Sequence, residues 1–423
     1  MDRAVAERED KKLRIADAGV FILLLTAVSA VTLALFYRQC RGEIHSDMKA
    51  YILEMQGLDS GYSFPYPVFF KLSALVHLFA SPELAVAVAA MALNSLAMGV
   101  TKGALNRMVL PFLRKGLLPR VMVSLLSLSL FFISMLYPPE GIYLPGIRFK
   151  YLGVFTANPF HNATYMAARP FAILAFLWYV KLLPVYEKGF GPGARRDYVL
   201  FSLFLLIATM TKPSFTLVMV SACGLLMLYR LFRARFRNFV PSLQLGICFL
   251  PTFLALLYQY KGVFVPSGGE EGGVGFGFGE VWTNYCGNIP LAVALAVGFP
   301  LLALALNLGE LRKNTLFRFS WLLYVVSFGE AFLLYEKGFR KIDFNFSWGY
   351  MYGIFFCHFT ALILLLQNTG RHLSLALEKG EMLPGQGRGI RRLLLGGQWL
   401  AYLWHLACGL LYFRAYFGGA MYY

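Results

Sequence analysis

Three stretches of this chain, Ala18 to Tyr37, Val121 to Leu136 and Ile289 to Leu308, run without one charged residue. Stretches of that length can cross a hydrocarbon core about 30 Å thick as helices. Backbone groups in lipid must be satisfied within the segment, so helices are the reading that fits. The chain as a whole is 58% hydrophobic and only 14% charged, too apolar for an ordinary soluble domain. The sequence therefore predicts an all-α, polytopic transmembrane protein, a single domain over residues 1–423.

Spans are expected at 18–37, 83–101, 117–136, 164–185, 198–211, 215–232, 240–260, 288–308, 316–335, 348–367 and 394–416. The N-terminal tail, with Arg3, Arg8, Lys11, Lys12 and Arg14, is expected in the cytoplasm. The first apolar block is followed by Arg38-Gln39-Cys40-Arg41 rather than a small-residue cleavage site, which predicts a retained span. Tyr66 to Ala80 is decided by charge. It is apolar, but short and interrupted by Lys71 and His77. If it crossed, the basic cluster Lys102, Arg107, Arg114, Lys115 and Arg120 would face outside, and later basic loops would be inverted. An interfacial helix there restores the alternation. That gives about eleven spans, the N-terminus inside and the C-terminus outside. The extracytoplasmic segments are then 38–82, 137–162, the turn 211–214, 261–287 and 336–347. The Gly-rich 267–279 reads as a mobile loop or lid.

The formal net charge of +17 does not indicate nucleic acid, because the basic residues fall in short loops between apolar blocks. They also suit anionic lipid head groups. The six cysteines show no CxxC spacing. Cys40 and Cys286 fall in outside loops, where a disulfide is open.

The candidate chemistry lies in the outside segments. In the first loop, Ile44, Met48, Tyr51, Ile52 and Met55 recur at helical spacing, predicting an interfacial helix with Asp47 at its start, His45 just before it and Glu54 further along. A carboxylate so placed can serve as a general base; the plain alternative is a helix N-terminal acid. His161 and Asn162 stand at a span entrance, as binding groups or as caps. Arg169, one turn into that span, needs a partner, water or a snorkelling path, and could hold a phosphate or carboxylate. Lys212 in Thr211-Lys212-Pro213 points at the outer surface, to a lipid phosphate or as a snorkelling turn residue. Glu330, near a span end, needs a partner or water. Glu336, Arg340 and Lys341 form a charged run on the face where positive charge is unusual, which suits an anionic head group. Asn162-Ala163-Thr164 and Asn345-Phe346-Ser347 match the glycosylation pattern but sit close to spans. His358 and His405 lie in separate spans and are expected to be isolated from each other.

The arrangement resembles the GT-C superfamily of polytopic membrane glycosyltransferases, as a distant branch. Three features carry the likeness over about the first half of the chain. They are Asp47 on an interfacial helix of the first outside loop, the proline-opened Tyr66-Pro67-Val68-Phe69-Phe70-Lys71-Leu72, and Thr211-Lys212-Pro213, which is similar to the Thr-Lys-Gly-Pro turn of the aminoarabinose-transferase branch. The chain departs from the family in having no large soluble C-terminal domain and no second acid beside Asp47. The resemblance implies Asp47 as catalytic base and a lipid-phosphate site near Lys212. The partners it implies are a polyprenyl-phosphate-linked sugar donor, a lipid or glycan acceptor and membrane lipids. A bacterial plasma membrane and a cell-envelope role are the corresponding expectations. A divalent metal ion bridging Asp47 and the phosphate stays open as a cofactor. Other classes compatible with the composition are a transporter or flippase of lipid-linked or anionic solutes, and a surface-polysaccharide polymerase or ligase. One site can use both Asp47 and Lys212 only if they lie within about 15 Å of each other.

Overall fold

A computed structural model describes the whole chain except residues 1, 138–151, 190, 192, 264–272, 379–385 and 421–423. The first half comprises α1 (Asp2–Cys40), α2 (Met48–Met55), α3 (Pro67–His77), α4 (Pro82–Val109), α5 (Leu117–Ser129), α6 (Ala163–Leu182), α7 (Arg195–Thr211) and α8 (Ser214–Arg233). After it come α9 (Phe239–Ile247), α10 (Leu250–Val263), α11 (Ile289–Ala296), α12 (Gly298–Leu306), α13 (Glu310–Lys313), α14 (Thr315–Leu333), α15 (Ser347–Glu378) and α16 (Gln386–Phe417). Two short strands, β1 (Val274–Phe276) and β2 (Leu334–Glu336), pair antiparallel with Gly275 opposite Tyr335. Among the described residues seven helices are long and apolar enough to cross a membrane, or up to nine if two bent pairs each count as one span. The protein is thus an α-helical integral membrane protein. The two other expected segments fold as α5 and α7, helices of 13 and 17 residues.

The bent pairs have a common cause. α9 and α10 meet at 50°, α11 and α12 at 73°. Proline lacks an N–H, so it cannot bond the carbonyl four residues back. Pro251 and Pro300 each stand four residues beyond the last residue of the preceding helix, Ile247 and Ala296. At the second break the Phe299 N–H donates to His405 Nε2 at 3.0 Å, while His405 Nδ1 donates to the Ser134 carbonyl at 2.6 Å. His405 and His358 are not isolated, as their spacing in sequence suggested. α15 and α16 pack together and bring the two rings to 4.6 Å.

Several boundaries move for identifiable reasons. α4 continues through residues expected as a cytoplasmic loop, because Lys102 finds a partner inside. Its ammonium donates to Asp17 Oδ1 of α1 at 2.9 Å and to the Arg120 carbonyl of α5 at 3.1 Å. α5 stops at Ser129, short of the expected span end. The chain beyond it is held by Asn158, whose amide donates to the carbonyls of Leu130 (3.0 Å) and Ile133 (2.8 Å). In the Gly-rich stretch, 267–272 lies outside the described residues. The rest is not a free lid: β1 runs against β2, and a Cβ on Gly275 would collide with the Tyr335 ring. Glu330 bonds Ser221 of α8. Cys40 and Cys286 are both buried and unbonded, so the disulfide left open by the sequence is not formed.

The fold sets the site by one arrangement. α3, with 11 residues, is about 16 Å long and cannot cross a bilayer. It lies on α4, with α2 packed beside it and α7 alongside. α2 and α3 thus wall the space above the ends of α6, α7 and α15.

Candidate active site

Asp47 precedes α2, yet its carboxylate makes no bond to the helix backbone. It therefore does not cap α2 through a hydrogen bond. Oδ2 instead accepts from Asn162 Nδ2 at 2.6 Å and from the Tyr51 hydroxyl of α2 at 3.3 Å. The Asp47 N–H reaches the His161 carbonyl at 3.4 Å, tying this loop to the entrance of α6. From the far end of the chain, the Tyr416 hydroxyl of α16 donates to the His45 carbonyl and accepts from Gln39 Nε2 at 3.0 Å. Gln39 Nε2 also donates to the Phe160 carbonyl at 2.8 Å. Three distant segments thus brace the backbone on which Asp47 sits.

Asn162 does two jobs. Its Oδ1 caps α6 by accepting from the Tyr165 N–H at 2.9 Å, as the sequence suggested. The same oxygen accepts from Lys212 Nζ at 3.3 Å, while its Nδ2 holds Asp47. Base candidate and ammonium are therefore joined through one amide. Lys212 ends α7 in an extended conformation, as a residue before proline must. That conformation swings its side chain inward rather than to a snorkelling position. Nζ also donates to Thr164 Oγ1 at 3.3 Å and lies 4.8 Å from the Trp348 ring centroid.

Burial dominates the electrostatics. It pushes the Asp47 carboxyl above its ordinary range, against the opposing pull of Lys212, Asn162, Tyr51 and His45. It pulls Lys212 down to about 8, with Asp47 resisting. His161, packed 5.2 Å from Trp348, is lowered to about 3 by burial and by Lys212 and His45, so it is neutral at physiological pH.

These groups open onto one cavity of about 470 Å³. Of the residues expected at a site, His45, Asp47, His161, Asn162, Lys212, Glu336 and Arg340 line it. Three do not. Arg169 is fully buried beneath it, donating to Asn158 Oδ1 at 2.7 Å and the Ala157 carbonyl at 2.9 Å, and ringed by Phe131, Tyr165 and Phe355. Its hydrogen bonds go to the segment carrying His161, so it orders that segment rather than facing a ligand. Lys341 points away and pairs with Glu280 at 2.7 Å. Glu54 faces a neighbouring groove instead. Arg340 lies 3.2 Å from Glu336 and 3.7 Å from Asp343, so the expected excess of positive charge is locally neutralised. Asn345 donates to Glu336 at 2.7 Å and accepts from Trp348 at 3.1 Å. Both candidate glycosylation asparagines thus use their amides internally.

The aromatic lining, Tyr62, Phe64, Tyr66, Tyr285, Phe346 and Trp348, was not singled out from the sequence. Its signal was the density of aromatics in segments expected outside the spans, where all of these but Trp348 fall. Among the described residues no group of three or more His, Cys, Asp or Glu is placed to hold a metal ion. Lys212 already supplies the positive charge beside Asp47, so the donor set does not fit a resident divalent ion. Chemically, the cavity offers one buried carboxylate of raised basicity, one ammonium an amide away, and flat apolar walls. Compared with known proteins, the chain matches no family model, no curated protein and no solved structure.

Proposed function

We propose that this protein is a membrane glycosyltransferase of GT-C type. It moves a sugar from a polyprenyl-phosphate-type lipid carrier to an acceptor on the extracytoplasmic face. The observation that carries the reading is the junction of Asp47 and Lys212 through Asn162 in one cavity. An acceptor hydroxyl gives its proton to Asp47 as its oxygen attacks the anomeric carbon. The bond from that carbon to the carrier phosphate breaks, and the phosphate departs with the electron pair. Lys212 stabilises the charge that grows on the leaving oxygen. Attack from the side opposite the phosphate inverts the anomeric centre. The raised basicity of Asp47 suits a general base, and the aromatic walls suit the apolar faces of a sugar ring. In this reading α5 and α7 are short spans, bringing the total to about eleven. The N-terminus is cytoplasmic, the C-terminus extracytoplasmic, and the membrane a bacterial plasma membrane.

The test is transfer by the purified protein in lipid, offered a panel of polyprenyl-phosphate sugars. Asp47→Asn should lower transfer about 10³-fold while the melting temperature stays near wild type. Transfer at the wild-type rate by a folded Asp47→Asn protein refutes the assignment.

A further inference from the structure

A second hollow, of about 320 Å³, lies on the other side of the wall formed by Phe64 and Tyr66, which line both spaces. Its remaining sides come from Glu54 of α2, Phe70 and Lys71 of α3, and Tyr258 of α10. Two observations indicate its occupant. First, the hollow continues onto apolar surface. Leu75 of α3, and Leu254 and Leu257 of α10, are exposed beside it, as are Leu78 and Phe79 just beyond α3, in a chain with membrane-crossing helices. Such a surface is covered by lipid chains. Second, Glu54 and Lys71 face the same hollow, and neither has an ion-pair partner among the described residues. An unpaired ammonium where a polar hollow meets exposed apolar surface suits an anionic head whose chain runs back into lipid.

The geometry points to a lateral groove for a membrane amphiphile with an anionic head, Lys71 meeting the anion and the chain lying against α3 and α10. The hollow, at about 320 Å³, has room for a head and the first carbons of one chain. Glu54 is left to accept a hydroxyl of the head. Taken with the glycosyltransferase reading, on which this step rests, the groove is where a lipid substrate waits in the leaflet, one aromatic wall away from Asp47. Pro65 and Pro67 flank Tyr66 and stiffen that wall.

The test uses the full-length protein in phosphatidylcholine nanodiscs with a diazirine-bearing farnesyl phosphate as probe. Photolabelling should map to α3 or to the Tyr258 region of α10. Ala74→Trp, which fills the groove, should abolish it, and Lys71→Glu should lower it about fivefold. A diazirine farnesol should label weakly and independently of Lys71. Equal labelling by the uncharged probe, insensitivity to both variants, or full competition by inorganic phosphate each overturns the proposal. Labelling reads occupancy, not transfer. Intact labelling with no transfer leaves the groove standing and removes the enzyme reading; transfer without labelling does the reverse.

Discussion

Lys212 holds its charge only below about pH 8, because burial favours the neutral amine. A phosphodiester donor does not titrate in that range, so the stabilising charge is lost as pH rises through 8. Activity should therefore fall on the alkaline side with a midpoint near 8. Lys212→Arg keeps a charge that does not titrate there, and its pH–rate profile should lack that limb. On the acid side, Asp47 must be ionised to act, and its pKa lies above the ordinary carboxylate value of about 3.9. Asn162→Ala removes a donor that favours the ionised form. Its acid limb should shift to higher pH, read from the same profiles; an unmoved limb separates Asn162 from Asp47. Asp47 and Lys212 were legible in the sequence because an acid before an interfacial helix and a lysine before a proline are local signals. Asn162 was legible as a cap or a binding group at a span entrance, not as the link between the two. That one amide serves both groups depends on where α6 and α7 end in space, which no local pattern encodes. Arg169 was misjudged for a similar reason. Its partners, Asn158 and the Ala157 carbonyl, are close in sequence, but the aromatic ring around it is assembled from three segments.

Among the elements, α1, α4 and α5 are joined by the ion pair of Lys102 with Asp17, both nearly fully buried. Asn106 and Ser124 add hydrogen bonds to the same carboxylate. Removing one charge strands the other. Asp17→Asn should destabilise the fold by about 3–5 kcal/mol, seen as a lowered melting temperature in detergent. Adding Lys102→Met to it should recover most of the loss. If the double variant melts no higher than the single, the pair is not what couples these helices. Charge counting read Lys102 as a loop cation, since the pairing depends on helix-to-helix register. The broken spans teach the complementary lesson. Pro251 and Pro300 mark their breaks in the sequence, but hydropathy reads straight through an apolar proline. Single spans were therefore expected where the structure has bends of 50° and 73°.

At the scale of the whole molecule, the helical and apolar character was plain from the sequence, since long apolar stretches leave few alternatives; of about eleven expected spans, seven to nine are long and apolar enough among the described residues. Orientation was inferred from the single decision at Tyr66–Ala80, and an 11-residue α3 is consistent with it. Lys71 and Lys115 are both exposed and lie on either side of α4. In intact cells Lys71→Cys should react with an impermeant maleimide and Lys115→Cys should not; the opposite pattern inverts the map. The brace beneath Asp47 has a consequence in time. The loop at 45–47 is made long before its support, since Tyr416 of α16 lies 371 residues beyond His45. Domains generally form from the N-terminus while synthesis continues. A chain still on the ribosome can hold every group that lines the cavity and lack only the strut beneath the base. Activity should then arise only once Tyr416 is in place, and a chain cut before it should insert normally and work poorly.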